Sequence, residues 1–218
     1  LKTAAFLAVA ALLTRFIPFS EFFRNVDTLV HELSHALATL LLSGDVMFIH
    51  LYADQSGVTY SSYSTAWKSV PISLAGYVGS ALFAMLLFFL HSRKKEKVGL
   101  VVIAAISVLG LALFVRNGYG MAWCGGFAVL SIIIFVLSKA GLTKFFYLLV
   151  AFICLVESVV SALIILTIAL QDPAAAGDAA GLSRATHVPA IFWGVVFAAC
   201  SLWCARISIR LFYKRGFD

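Results

Sequence analysis

Charge is scarce in this chain. Asp, Glu, Lys and Arg make up 12% of its 218 residues while 62% are hydrophobic, and mean hydropathy is +1.02. Soluble globular chains carry about 25% charged residues, so a soluble domain is excluded. Low-complexity linkers are missing too, and no interval of soluble-domain size interrupts the apolar blocks, so 1–218 reads as a single domain. Cysteine is sparse: Cys124, Cys154, Cys200 and Cys204 all fall in apolar stretches. Disulfide frameworks belong to small secreted domains, and these four read as small core residues. Cys200 and Cys204 share a helical face but have no His or further Cys nearby to complete a metal site. The net charge of +6 forms no stripe suited to nucleic acid. Its basic residues gather at the ends of apolar blocks instead.

What is present is a series of apolar blocks, at about 3–19, 26–44, 70–91, 98–115, 119–138, 145–170 and 188–206. Stretches near 20 residues cross a hydrocarbon core of about 30 Å. The expected fold is therefore an all-α polytopic membrane protein of about six to seven transmembrane helices. A signal-peptide reading of the first block is weak, because Arg15 and Pro18 interrupt it and no A-x-A site follows. Arg93, Lys94, Lys95 and Lys97 in one loop, and Arg206, Arg210, Lys214 and Arg215 near the end, put that loop and the C-terminus in the cytoplasm. The Lys139–Lys144 loop joins them, with Arg116 and 171–187 on the other side.

Within the second block stands His31-Glu32-Leu33-Ser34-His35, an H-E-x-x-H sequence. On a helix, residues four apart share a face, so both imidazoles can converge on one zinc ion while Glu32 serves as general base. Apolar segments avoid ionisable groups because desolvating them is costly, which makes such a cluster a functional signal. The bland alternative is a pair of histidines bonded to neighbouring helices.

The interval 45–69 differs in kind. Val46–Tyr52 and Val58–Tyr63 are rich in β-branched and aromatic residues, and Asp54-Gln55-Ser56-Gly57 between them is turn chemistry. A β-hairpin follows the H-E-x-x-H helix. It serves either as a cap over the helix end or as an edge that pairs with an extended peptide. In the second role Tyr60 is taken as an edge position. His50 reads as a surface residue. Ala75-Gly76-Tyr77-Val78-Gly79-Ser80-Ala81 offers small faces for close helix packing. Arg116-Asn117-Gly118-Tyr119-Gly120 is a tight connection, in which Asn117 is a candidate donor to a substrate carbonyl or support for the ligands.

A catalytic zinc takes three protein ligands and keeps one position open. Candidates for the third are the intramembrane Glu157, Asp172 and Asp178 in the following segment, and His187. Asp178 reaches the histidines only if their helix approaches from the non-cytoplasmic side, or if 171–187 dips inward. Chain spacing alone does not choose.

With H-E-L-S-H-A, the hairpin, A-G-Y-V-G-S-A, and G-D-A ahead of T-H-V-P-A-I-F-W-G in view, the chain resembles a compact bacterial branch of the site-2 protease superfamily. The resemblance implies an intramembrane zinc metallopeptidase of the bacterial cytoplasmic membrane, binding one Zn2+ and acting on membrane-embedded or membrane-associated proteins. It implies His31 and His35 as ligands, Glu32 as the residue that activates water, and Asp178 as the third ligand, with Glu157 the alternative. The L-D-G motif of better-known members is absent. Two other functions compete: a zinc-dependent membrane lipid or amide hydrolase, and a non-catalytic transport or assembly protein. An intact Glu32 argues against the last, because a structural metal needs no base.

Overall fold

A computed structural model describes residues 20–137 and 140–215. The elements run α1 (Ser20–Leu41), β1 (Asp45–Leu51), β2 (Gly57–Ser62), α2 (Ser69–Ser92), α3 (Glu96–Leu109), α4 (Gly118–Leu137), α5 (Ala140–Gln171), α6 (Gly177–Thr186) and α7 (Ala190–Arg215). Among the described residues, five helical stretches are long and apolar enough to cross a membrane: Ala66–Ser92, Glu96–Phe114, Gly118–Leu137, Gly141–Gln171 and Ala190–Arg215. The chain is a polytopic, all-α integral membrane protein with one small hairpin. Two of the expected apolar blocks are not among these five. Block 3–19 lies outside the described residues. Block 26–44 forms most of α1, a bundle helix that carries Glu21, Arg24, Asp27 and Glu32 and so is too charged to count as an apolar span.

Helix α1 buries Val26, Leu29, Val30 and Ala36 at helical spacing against the main core. It stops where Ser43 turns left-handed and Gly44 N–H closes back on Thr39 O at 2.9 Å. The hairpin is antiparallel, with Asp45 opposite Ser62, Leu51 opposite Gly57 and a bulge between Val46 and Phe48. At its turn the Asp54 carboxylate accepts from Ser56 N–H and the Ser56 hydroxyl. Those bonds hold its carboxyl below the ordinary carboxylate range, the hydroxyl contributing most.

Helix α3 runs on through one π turn, Gly110–Phe114. The Arg116 guanidinium then binds the carbonyls of Leu111, Ala112, Leu113 and Val115, satisfying the helix end. The chain that follows lies against the hairpin: Arg116 N–H donates to Ile49 O at 3.1 Å, and the Asn117 side chain donates to Leu51 O at 2.6 Å while accepting from Leu51 N–H at 3.1 Å. Asn117 therefore acts like one rung of a sheet on the outer edge of β1. It does not line the cavity with the histidines, which corrects its expected role as support for the ligands.

Two cores hold the bundle. The larger joins α1, the hairpin, α2–α5 and the end of α7. The smaller contains Ala162, Ala169, Ala176, Ala179, Ala180, Leu182 and Ala190 beside Tyr77 and Phe197. Small side chains there let α6 lie close to α2, α5 and α7. At the opposite end Arg215 pairs with Glu96 at 2.6 Å, and Glu96 with His91 at 2.9 Å. That cluster ties the end of α7 to the connection between α2 and α3, so the two basic segments share one end of the molecule.

Candidate metal centre

His31 and His35 sit one turn apart on α1 with rings 4.7 Å apart and nearly perpendicular. Their Nε2 atoms are separated by 3.0 Å. Asp178, in the first turn of α6, brings Oδ2 to 3.3 Å from His31 Nε2 and 3.2 Å from His35 Nε2. Tetrahedral zinc with ligands at 2.0–2.1 Å requires ligand atoms about 3.3 Å apart, so this donor set has the spacing and the N2O chemistry that fit the ion. His35 Nδ1 lies 2.7 Å from Ile72 O, a contact that makes Nδ1 the donor and leaves Nε2 as the lone-pair nitrogen facing the cluster.

Helix α6 reaches the cluster because the segment after α5 turns back. Asp172 caps a short turn by accepting from Ala174 N–H, and Gly177, at φ +47°, starts α6 beside Ile165 of α5. The chain thus returns about two turns along α5 before Asp178 appears, and 171–187 does dip inward. The other third-ligand candidates are elsewhere. Glu157 forms a two-pronged ion pair with Arg24, at 2.8 and 3.1 Å, and so does not join the histidines as the alternative ligand. His187 closes the end of α6 in the left-handed region, exposed. Among the described residues the cluster that could hold a metal is His31, His35 and Asp178.

Glu32 points to the hairpin side. Its Oε2 accepts from the Thr59 hydroxyl at 2.6 Å, and that hydroxyl also lies 3.0 Å from Glu32 O. Gly57 makes room for the carboxylate: a Cβ there would stand 2.7 Å from Oε1. Gly76 does the same for the imidazoles, since its Cβ would lie 2.5 Å from Nε2 of both His31 and His35. The small-residue face of α2 is thus a packing surface, as expected, and also the floor of the metal cluster. A cavity of about 710 Å3 opens here, lined by His31, Glu32, His35, Asp178, Tyr77 and residues of β2.

The pattern of β1 bonds decides which β2 groups face that cavity. Ile49 and Leu51 direct their backbone groups outward to Arg116 and Asn117, so Ile49–Thr59 and Leu51–Gly57 are non-hydrogen-bonded pairs. Gly57, Thr59 and, beyond the bulge, Ser61 therefore turn N–H and C=O away from β1. Tyr60, opposite Phe48, turns its own toward β1, which corrects its expected place on the open edge. His50, half-buried, stacks on Phe48 and lies outside the metal cluster. Sequence reasoning missed Thr59, Tyr77 and Gly57 as site residues, because a threonine in a strand and a tyrosine in a small-residue helix carry no chemical signature of their own.

A family model described as Peptidase M50B-like matches residues 3–208. The chain belongs to this family. It is the site-2 protease family, and it makes the chain a member of a peptidase lineage whose members in general depend on zinc. No curated protein and no solved structure matches the chain.

Proposed function

We propose that the protein is an intramembrane zinc metalloprotease that hydrolyses peptide bonds of membrane-associated protein substrates. The observation carrying this reading is the Glu32 carboxylate, held by Thr59 in the same cavity as Nε2 of His31, Nε2 of His35 and Oδ2 of Asp178. Zinc in that donor set would polarise a peptide carbonyl and lower the pKa of water. Glu32 lies outside the three donors, so its carboxylate can take the proton of the attacking water and return it to the leaving amine. His35 is kept in the ligating tautomer by Ile72 O.

The open edge of β2 supports a peptide rather than a lipid as substrate. An extended segment pairing with Gly57, Thr59 and Ser61 has its backbone groups satisfied where water is scarce, and it passes beside Glu32. The basic loop and C-terminus face the cytoplasm in this reading, with the hairpin on the other side.

The test is zinc content and cleavage of a transmembrane reporter by purified protein. Glu32→Gln should keep zinc and lose cleavage by on the order of 10²–10⁴-fold. His31→Ala and His35→Ala should lose both. If Glu32→Gln loses zinc as the histidine variants do, Glu32 is a ligand and the assigned base is gone.

A further inference from the structure

Tyr77 on α2 lies against the metal cluster with its ring clamped on two sides. Its ring meets the His31 imidazole edge-on, with centroids 4.7 Å apart and planes at 85°. It also stacks against Phe197 of α7, at 4.5 Å and 26°. The residue is 8% exposed and lines the cavity together with Glu32 and Asp178. Its hydroxyl lies within electrostatic reach of Asp178, Asp27 and Glu32, yet makes no hydrogen bond among the described residues.

The ring is buried, but the oxygen is not among the enclosed unpaired polar atoms, so the hydroxyl opens to the cavity with its O–H unengaged. Tyr147, whose phenol is buried, instead donates to Leu87 O at 2.6 Å. Several other polar groups lining the cavity are committed or of the wrong kind. Glu32 and Asp178 accept, the Thr59 hydroxyl is engaged by Glu32, and the Thr28 hydroxyl donates to Gln55 O. Ser73 and Ser161 also line the cavity, but Tyr77 is the residue whose ring contacts His31.

We infer that Tyr77 is a catalytic residue whose phenol O–H donates a hydrogen bond to the oxygen of the scissile carbonyl as negative charge develops there. The inference rests on the protease reading above. Water adds to the carbonyl carbon as Glu32 takes its proton, the C=O π pair moves onto oxygen, and the pair returns when the C–N bond breaks and the amine leaves with that proton. Tyr77 keeps its proton throughout and only stabilises the charge. A donor held in place before reaction costs no reorganisation when that charge appears, and in a dry site it is worth more than in water.

Tyr77→Phe preserves the edge contact with His31 and the stack on Phe197 and removes the O–H alone. With a transmembrane peptide cleaved by the wild-type protein in detergent micelles, Tyr77→Phe should lower kcat on the order of 10²-fold with KM, zinc content and thermal unfolding unchanged. A phosphinic peptide of the same sequence carries a tetrahedral anionic centre. Its binding to the zinc-loaded protein should weaken by a comparable factor, while a ground-state peptide with the scissile amide reduced to methylene-amine should bind as before. Wild-type kcat together with unchanged phosphinate binding would overturn the assignment. So would an activity loss that tracks zinc loss, which would make Tyr77 a positioning residue for His31. A wild-type protein that binds zinc and the phosphinate but cleaves no peptide would instead overturn the protease reading beneath it.

Discussion

Space around the ligands constrains the centre as tightly as the ligands do. Gly76 lies where any side chain would meet both imidazoles, so Gly76→Ala should weaken zinc binding by roughly 10–100-fold, the usual range for residues that orient ligands. Competition with a zinc chelator measures this, and wild-type affinity would mean that α2 can shift away from α1. Asp178 and Glu157 should separate cleanly. Asp178→Asn loses the oxygen that faces both Nε2 atoms and should weaken zinc at least as much. Glu157→Gln should keep zinc but leave the Arg24 guanidinium without a counter-charge, at a cost of roughly 3 kcal/mol in stability. Zinc lost in Glu157→Gln and kept in Asp178→Asn would exchange their roles. Thr59→Val removes the donor to Glu32 while keeping the strand shape. It should reduce turnover with zinc retained, and unchanged turnover would mean Glu32 is oriented without it.

Elements rather than single side chains deliver the third donor and the substrate edge. Helix α6 is only ten residues long, and its alanines let it sit among α2, α5 and α7 with Asp178 in its first turn. The hairpin is held to α1 by the Thr28–Gln55 and Thr59–Glu32 bonds, but its two backbone edges differ. Val115–Asn117 close the outer edge of β1, so among the described residues the row of backbone donors and acceptors without a strand partner belongs to β2. Proline at an outward position should therefore act differently from proline at an inward one. Ser61→Pro removes one outward N–H and should raise KM for a peptide substrate with zinc unchanged. Tyr60→Pro removes a rung between the strands and should destabilise the hairpin itself. Identical kinetics for Ser61→Pro and wild type would return the hairpin to the role of a cap.

Across the whole molecule, two ends are chemically distinct. The connection between α2 and α3 and the end of α7 meet through Arg215, Glu96 and His91, bringing the basic segments together. The base of the hairpin lies at the other end of α2, and the turn after α5 lies at the same end, opposite the start of that helix. Single cysteines at Lys94 and Lys214 should react with an impermeant maleimide only when the cytoplasmic face is open. Those at Asp45 and Ala175 should react from the outside. Labelling of Asp45 and Lys94 positions from the same face would refute this orientation.

The amino-acid sequence by itself determined whatever depends on local periodicity and composition. Apolar length set the helices, β-branched runs around Asp54–Gly57 set the hairpin, and the four-residue spacing of His31 and His35 put two nitrogen donors on one helical face, because these features act over a few neighbouring residues. Tertiary structure decided everything that depends on which distant groups meet. Asp178, not Glu157, faces the histidines because the chain turns back after α5 while Arg24 pairs with Glu157. Asn117 serves β1 because the α3–α4 connection lies along that strand. Thr59 holds Glu32 because the hairpin folds back along α1. Tyr77 lies against His31 because Gly76 admits the imidazoles beside it. Each is a pairing between residues far apart in the chain, and residue types near each position do not encode which partner packing will bring.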